Sequence, residues 1–140
     1  MITNSGSAEW QGGLKDGQGK ISTKSGALSG LPYGFKARFE GATGTNPEEL
    51  IGAAHAACFS MALSSILEGA GVTDVKIETS SKIGLDKEGD GFAVKTAHLT
   101  TRISGNGDRA VIEDAARQAE KGCPVSKVLN AEITLDVTVA

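Results

Sequence analysis

Hydrophobic positions along this chain alternate, then wind, then alternate again. Ala8–Gln11 and "KISTKSG" read as short strands joined by the turn "KDGQG". From Tyr33 to Glu40 the alternation is clean. Tyr33, Phe35, Ala37 and Phe39 share one face, while Lys36, Arg38 and Glu40 share the other, which predicts a strand. The period changes at "NPEELIGAAHAACFSMALSSIL", residues 46–67. Asn46 suits an N-cap, Pro47 falls at the first helical position, and Glu49 stands three residues after the cap, as in a capping box. Gly69 and Gly71 supply the stop. The apolar residues of this predicted helix run nearly all round, so protein covers it on most sides.

Period two returns from Val75 to Leu85, and "DKEGDG" predicts a hairpin turn. The return strand, Phe92 to Ile103, changes phase after Val94, and a bulge near Lys95–Ala97 accounts for the slip. Asp108 caps a second helix reaching about Lys121, Gly122 ends it, and Pro124 opens a short third helix. The last strand points Ile133, Leu135, Val137 and Val139 inward. Strands, long helix, hairpin, helix, strand is an α+β order with antiparallel sheet rather than a parallel α/β fold. The 140 residues fit one domain, 1–140.

Charge narrows the partners. Fourteen basic against 17 acidic residues leave a formal charge of −3, with no basic block, which argues against nucleic acid and anionic membranes. Aromatic residues are too few for a base-stacking platform. "MITNSGSAEW" has neither the basic start nor the apolar stretch of a signal peptide. The apolar helix carries Glu48, Glu49 and His55 among its alanines and is broken by Ser60, Ser64 and Ser65, so it reads as a core helix rather than a membrane span. A cytoplasmic protein is the expectation.

Three chemistries compete. "GNGDRA", residues 105–110, matches a dinucleotide-binding loop, but the strand before it belongs to a hairpin and a doubly wound sheet has no room. His55, Cys58, His98 and Cys123 make a set of four metal-ligand types, yet only His55 and Cys58 are close in sequence, so no metal is expected and His55 reads as a core or interface histidine. The third is thiol chemistry. Cys58 is open between a small buried hydrophobe and a nucleophile. Cys123, after a helix-ending glycine and before a proline, sits where a helix N-terminus lowers a thiol pKa. A buried thiolate needs a cation. An arginine about 4 Å away at an effective dielectric of about 20 supplies about 4 kcal/mol, about three pKa units. Of the arginines, Arg38 stands among aromatics and is the first choice, its alternative being a solvated strand-face charge.

"PYGFKARFEGATGTNPEELIGAAHAACFSMALS" and "GCPVSKVLNAEITLDVTV" resemble the osmotically inducible protein C family, OsmC, and its relatives the organic hydroperoxide resistance proteins, Ohr. "GAAHAACF" and "CPVSK" look more like the OsmC branch. The resemblance implies an OsmC-like fold with antiparallel sheets and a long central helix, built as an intertwined homodimer with active sites at its interface. It implies a thiol peroxidase of the oxidative and osmotic stress responses, reducing organic hydroperoxides and, less well, hydrogen peroxide, without metal, haem or flavin. Cys58 matches the peroxidatic cysteine, Cys123 the resolving one, Arg38 the activating arginine and Glu48 the glutamate that holds it. A Cys58–Cys123 disulfide then needs a dithiol reductant, for which the family precedent is a lipoyl-bearing protein, with other thiols as alternatives. The rival functions are an Ohr-type protein for bulky hydroperoxides, a thiol redox sensor, and a structural protein with inert cysteines. Cys58 follows Glu48 by ten residues on one helix, about 15 Å at a rise of about 1.5 Å per residue. Glu48 is therefore expected to serve the partner subunit's active site.

Overall fold

The computed structural model describes residues Met1–Ala140. Its elements are β1 (Gly6–Gln11), β2 (Gln18–Thr23), β3 (Leu31–Tyr33), α1 (Phe35–Phe39), α2 (Pro47–Gly69), β4 (Thr73–Glu88), β5 (Gly91–Asn106), α3 (Arg109–Gly122), α4 (Pro124–Val128) and β6 (Glu132–Val139). Contacts gather in two compact units, Met1–Leu50 and Ile51–Ala140.

In the first unit β1, β2 and β3 form an antiparallel sheet in sequence order. Gly19 of β2 lies under the rings of Trp10 and Tyr33, and a Cβ there would collide with both. Its missing side chain lets the two rings approach with centroids 5.5 Å apart. The strand expected from Tyr33 to Glu40 is not formed. β3 stops at Tyr33, and Phe35–Phe39 is one turn of helix, with the Arg38 amide donating to the Gly34 carbonyl at 3.1 Å. Phe35 and Phe39 decide the matter: four residues apart, their rings meet tilted by 42° at a centroid distance of 4.9 Å, a pairing that a helical turn permits. Arg38 thus projects from a helix, not from a strand face.

α2 opens as its first residues predict. The Glu49 amide donates to Asn46 Oδ1 at 2.8 Å. The Glu49 carboxylate turns to the Thr45 hydroxyl at 2.9 Å instead of closing a capping box. The helix ends in a Schellman motif: Gly71 takes φ +77°, its amide donates to the Glu68 carbonyl, and the Val72 amide reaches back to the Leu67 carbonyl at 3.0 Å. By length and composition α2 could cross a membrane. Within one chain, though, it buries only the stripe Gly52, His55, Phe59, Leu63 and Leu67. Expected cover on most sides is absent within the chain: Ala53, Ala54, Ala57 and Met61 are exposed, Met61 by 76 %.

The second unit is built on the sheet β4-β5-β6. The bulge lies where the phase slip predicts. Gly84 pairs with Thr96 and Leu85 with Val94, leaving Lys95 without an opposite number. β6 differs from the expectation of purely antiparallel sheets, because it runs parallel to β5, Thr96 opposite Glu132 through Ile103 opposite Val139. The reason is the connection. α3 and α4 carry the chain back to the starting end of β5, and a helical crossover delivers a parallel neighbour. Phe59, Leu63 and Leu67 of α2 join Leu99 and Ile103 of β5 and Ile112, Ala115, Ala116 and Ala119 of α3 in one core. Each of the large side chains contributes about 1.5–3 kcal/mol by leaving water. Cys123, between α3 and α4, belongs to the same cluster and Cys58 packs against it.

Candidate active site

The two cysteines come together from opposite ends of the second unit's sequence. Cys58 stands one residue before Phe59 on α2, half-buried at the margin of the buried stripe. Cys123 is fully buried and serves as both the C-cap of α3 and the N-cap of α4. Its amide donates to the Ala119 carbonyl at 2.9 Å, and its carbonyl accepts from the Lys127 amide at 3.2 Å. Both thiols are free and lie close enough for each to shift the other's pKa.

That contact splits their acidities. Burial pushes the Cys58 thiol up, and the hydrogen bond to Cys123 pushes it further, against a smaller opposing pull from the Val125 amide. For Cys123 burial also acts upward. The Cys58 thiol, the Ser126 amide and hydroxyl and the Val125 amide all hydrogen-bond to its sulfur, and together they bring it below the usual thiol range. Burial thus raises Cys58 while hydrogen bonding lowers Cys123, and no positive charge acts on either sulfur.

His55, one helical turn before Cys58, is wholly buried. Its ring is satisfied at both ends, Nδ1 with Ser81 Oγ on β4 at 2.7 Å and Nε2 with Ser126 Oγ on α4 at 2.8 Å. Burial holds its pKa below the ordinary value. Nothing in a helix made of small residues shows that Gly52 is needed, but a Cβ there would stand 2.7 Å from the Ser81 carbonyl oxygen. Gly52 is what lets α2 lie close enough to β4 for His55 to reach Ser81. His98, the other histidine, is remote from this network, bonded to Thr134 and Asp136 of β6. Sequence reasoning missed Ser81 and Ser126. The spacing Cys123-x-x-Ser126, which puts a hydroxyl one turn into the helix that Cys123 caps, is the signal that pointed to the second.

In the first unit Arg38 and Glu48 meet. Arg38 Nη2 donates to Glu48 Oε1 at 2.7 Å, and Nε donates to both carboxylate oxygens at 3.1 and 3.2 Å. Arg38 also lies over the Phe39 ring at 5.4 Å. Beside them is a cavity of about 300 Å³ lined by Trp10, Leu14, Tyr33, Gly34, Phe35, Arg38, Phe39 and Pro47. It is apolar except for the guanidinium. Glu48 occupies one edge of the fork, and no hydrogen bond takes Nη1, which leaves it to a further acceptor.

Residues 40–138 match the family described as OsmC-like protein. The chain belongs to the OsmC family. It is 52 % identical over 136 residues to Peroxiredoxin OsmC of Escherichia coli strain K12, covering 96 % of this chain and 95 % of that protein. Identity to the organic hydroperoxide resistance protein OhrB of Bacillus subtilis is 31 % over 123 residues, 85 % of this chain and 88 % of the relative. This difference puts the chain on the OsmC branch, as "GAAHAACF" and "CPVSK" suggest. The crystal structure of an organic hydroperoxide resistance protein from Elizabethkingia anophelis superposes with a TM-score of 0.74 at 25 % identity, over 100 % of this chain and 98 % of that one. The OsmC fold therefore holds across both branches. The family match begins at residue 40, just after Arg38, and includes Glu48, Cys58 and Cys123.

Proposed function

We propose that this chain reduces organic hydroperoxides with Cys58 as peroxidatic and Cys123 as resolving cysteine, assisted by Arg38 and Glu48. Membership of the OsmC branch makes it a cysteine-based peroxidase. The observation that carries the residue assignment is the close pair of free thiols, one half-buried and one buried. A sulfenic acid formed on Cys58 would already be in reach of a second sulfur.

The chemistry balances. Cys58 thiolate attacks the terminal peroxide oxygen, the O–O bond breaks, and alkoxide leaves and takes a proton to become an alcohol. Arg38 stabilises the thiolate and the charge developing on the leaving oxygen. The apolar cavity beside its guanidinium suits the organic part of a hydroperoxide better than it suits hydrogen peroxide. Cys123 thiolate then attacks the Cys58 sulfenic sulfur, an S–S bond forms, and hydroxide leaves as water. A dithiol restores both thiols by exchange. Reduced cysteines of this kind suit a cytoplasmic setting.

The cation comes from a second copy of the chain. Within one chain the Cys58 thiol is pushed up with no positive charge to oppose it. Arg38 is tied to Glu48 in the first turn of α2, ten residues and about 15 Å of helix from Cys58. The exposed apolar side of α2 is the surface for a homodimer that brings one subunit's Arg38–Glu48 pair to the other's Cys58. Mixing Cys58→Ser subunits with Glu48→Ala subunits tests this. Verified heterodimers regain part of the activity, and no recovery would refute sharing. Treating reduced protein with cumene hydroperoxide should consume thiols and yield the Cys58–Cys123 disulfide. A Cys58→Ser variant that still reduces the peroxide would refute the assignment.

A further inference from the structure

His55 is a buried titratable side chain that the peroxidase chemistry does not use, and its two bonds are more specific than core packing requires. The ring joins three elements: α2, which carries it, β4 through Ser81, and α4 through Ser126. Ser126 is itself buried, and its hydroxyl also hydrogen-bonds the Cys123 sulfur. Ser126 Oγ is thus shared between an imidazole nitrogen and a sulfur.

The directions of these bonds are constrained. A thiolate accepts only, so when Cys123 is ionised the Ser126 O–H donates to it. Ser126 Oγ must then accept from His55 Nε2–H. A neutral ring with its proton on Nε2 has an accepting Nδ1, which takes the Ser81 O–H. The chain of donors therefore runs one way, Ser81 to His55 to Ser126 to Cys123. If the Cys123 thiol is protonated instead, Ser126 can turn its hydroxyl toward the ring and the chain reverses. Bonds aligned in one direction polarise each other, and the ionised sulfur gains from the whole row.

We infer that His55 and Ser126 are positioning residues for the second chemical step, holding Cys123 as the thiolate that attacks the Cys58 sulfenic acid. This rests on Cys123 being the resolving cysteine. In that step the Cys123–Cys58 S–S bond forms, the Cys58 S–O bond breaks, and hydroxide departs and is protonated to water. The lowered pKa of the Cys123 thiol agrees with it. The titratable groups facing Cys123 are Cys58 of α2 and, through Ser126, His55 of the same helix. The buried residues of α3 are Ile112, Ala115, Ala116 and Ala119, all apolar.

The test separates the two steps. Reduced wild type, Ser126→Ala, Ser126→Thr and His55→Gln receive one equivalent of cumene hydroperoxide between about pH 5 and pH 9. Sulfenic acid is read by dimedone trapping, disulfide by intact mass, and Cys123 alkylation by peptide mapping. The expected result is disulfide formation slowed about tenfold at neutral pH in Ser126→Ala and His55→Gln, with sulfenic acid formed at the wild-type rate. Their Cys123 alkylation midpoint moves up by about one pH unit, alkaline pH restores the lost rate, and Ser126→Thr keeps the wild-type profile. A Ser126→Ala protein of native circular dichroism whose disulfide rate and Cys123 midpoint match wild type overturns the inference alone. A wild type that forms no disulfide overturns the assignment of Cys123 as resolving cysteine, and the inference falls with it.

Discussion

Arg38 grips Glu48 through Nη2 at 2.7 Å and through Nε at 3.1 and 3.2 Å, so one edge of the guanidinium meets the carboxylate. Glu48 is the more sheltered partner, its side chain 12 % exposed against 37 % for Arg38. At that exposure the pair adds about 1 kcal/mol or less to stability, and its value lies in fixing the fork. Arg38→Lys keeps the charge and loses the fork. Peroxide reduction by this variant should fall about 100-fold in kcat/KM, about 2.7 kcal/mol, with a melting temperature close to wild type, as steady-state kinetics and a thermal scan will show.

The two cysteines should fail differently. Cys58→Ser abolishes turnover. Cys123→Ser still consumes one equivalent of hydroperoxide per Cys58 and then stops, with Cys58 advancing to sulfinic and sulfonic acid under excess peroxide. Intact-mass measurement after stoichiometric and excess peroxide distinguishes the two.

His55 should mark the acid side of the stability curve. Its folded pKa lies below the ordinary 6.5 because burial disfavours the charged ring. The folded protein thus prefers the neutral form. The contribution is fully present above the unfolded pKa and is lost as pH falls through the folded value. Melting temperature should drop as pH falls below about 6.5, and His55→Gln should flatten that part of the curve while lowering stability at neutral pH. Equal slopes in the two proteins would show that carboxylates alone cause the drop.

Gly52 sets the distance between α2 and β4. A Cβ 2.7 Å from the Ser81 carbonyl oxygen cannot be absorbed by a side-chain rotation, because the obstacle is backbone. Gly52→Ala should cost about 1–3 kcal/mol in urea unfolding. It should also loosen His55 from Ser81, visible in the ring's NMR titration.

Met61 is 76 % exposed on the side of α2 that the chain leaves uncovered. Met61→Lys should convert a dimer into monomers by sedimentation and abolish peroxide turnover with circular dichroism unchanged. Native mass and activity that both survive the substitution would refute this face as the surface of the proposed dimer.

Much of this was legible locally. Asn46 before Pro47, the glycines after Leu67, Asp108 and the phase slip at Lys95 each act within a few residues, and each appears where the pattern predicts it. The roles proposed for Cys58, Cys123, Arg38 and Glu48 come from the resemblance of their motifs to the OsmC family. Phe35 to Phe39 misled because alternation over so short a stretch is also compatible with one helical turn, and the ring contact settles the choice.

The remainder depended on contacts between distant parts of the chain. Ser126 lies 71 residues from His55, and Ser81 lies 26 away. No pattern in the sequence pairs them, because partners at that separation are set by how α2, β4 and α4 stack around a shared core. The direction of β6 follows from the crossover path in the same way. The sequence alone determined the elements, their caps and the reactive residue types, through backbone preferences that act over a turn or two. Tertiary packing decided that a histidine readable as core or interface is bonded to Ser81 and Ser126, and that α2 keeps an apolar face bare, because burial and hydrogen-bond partners are properties of the packed chain.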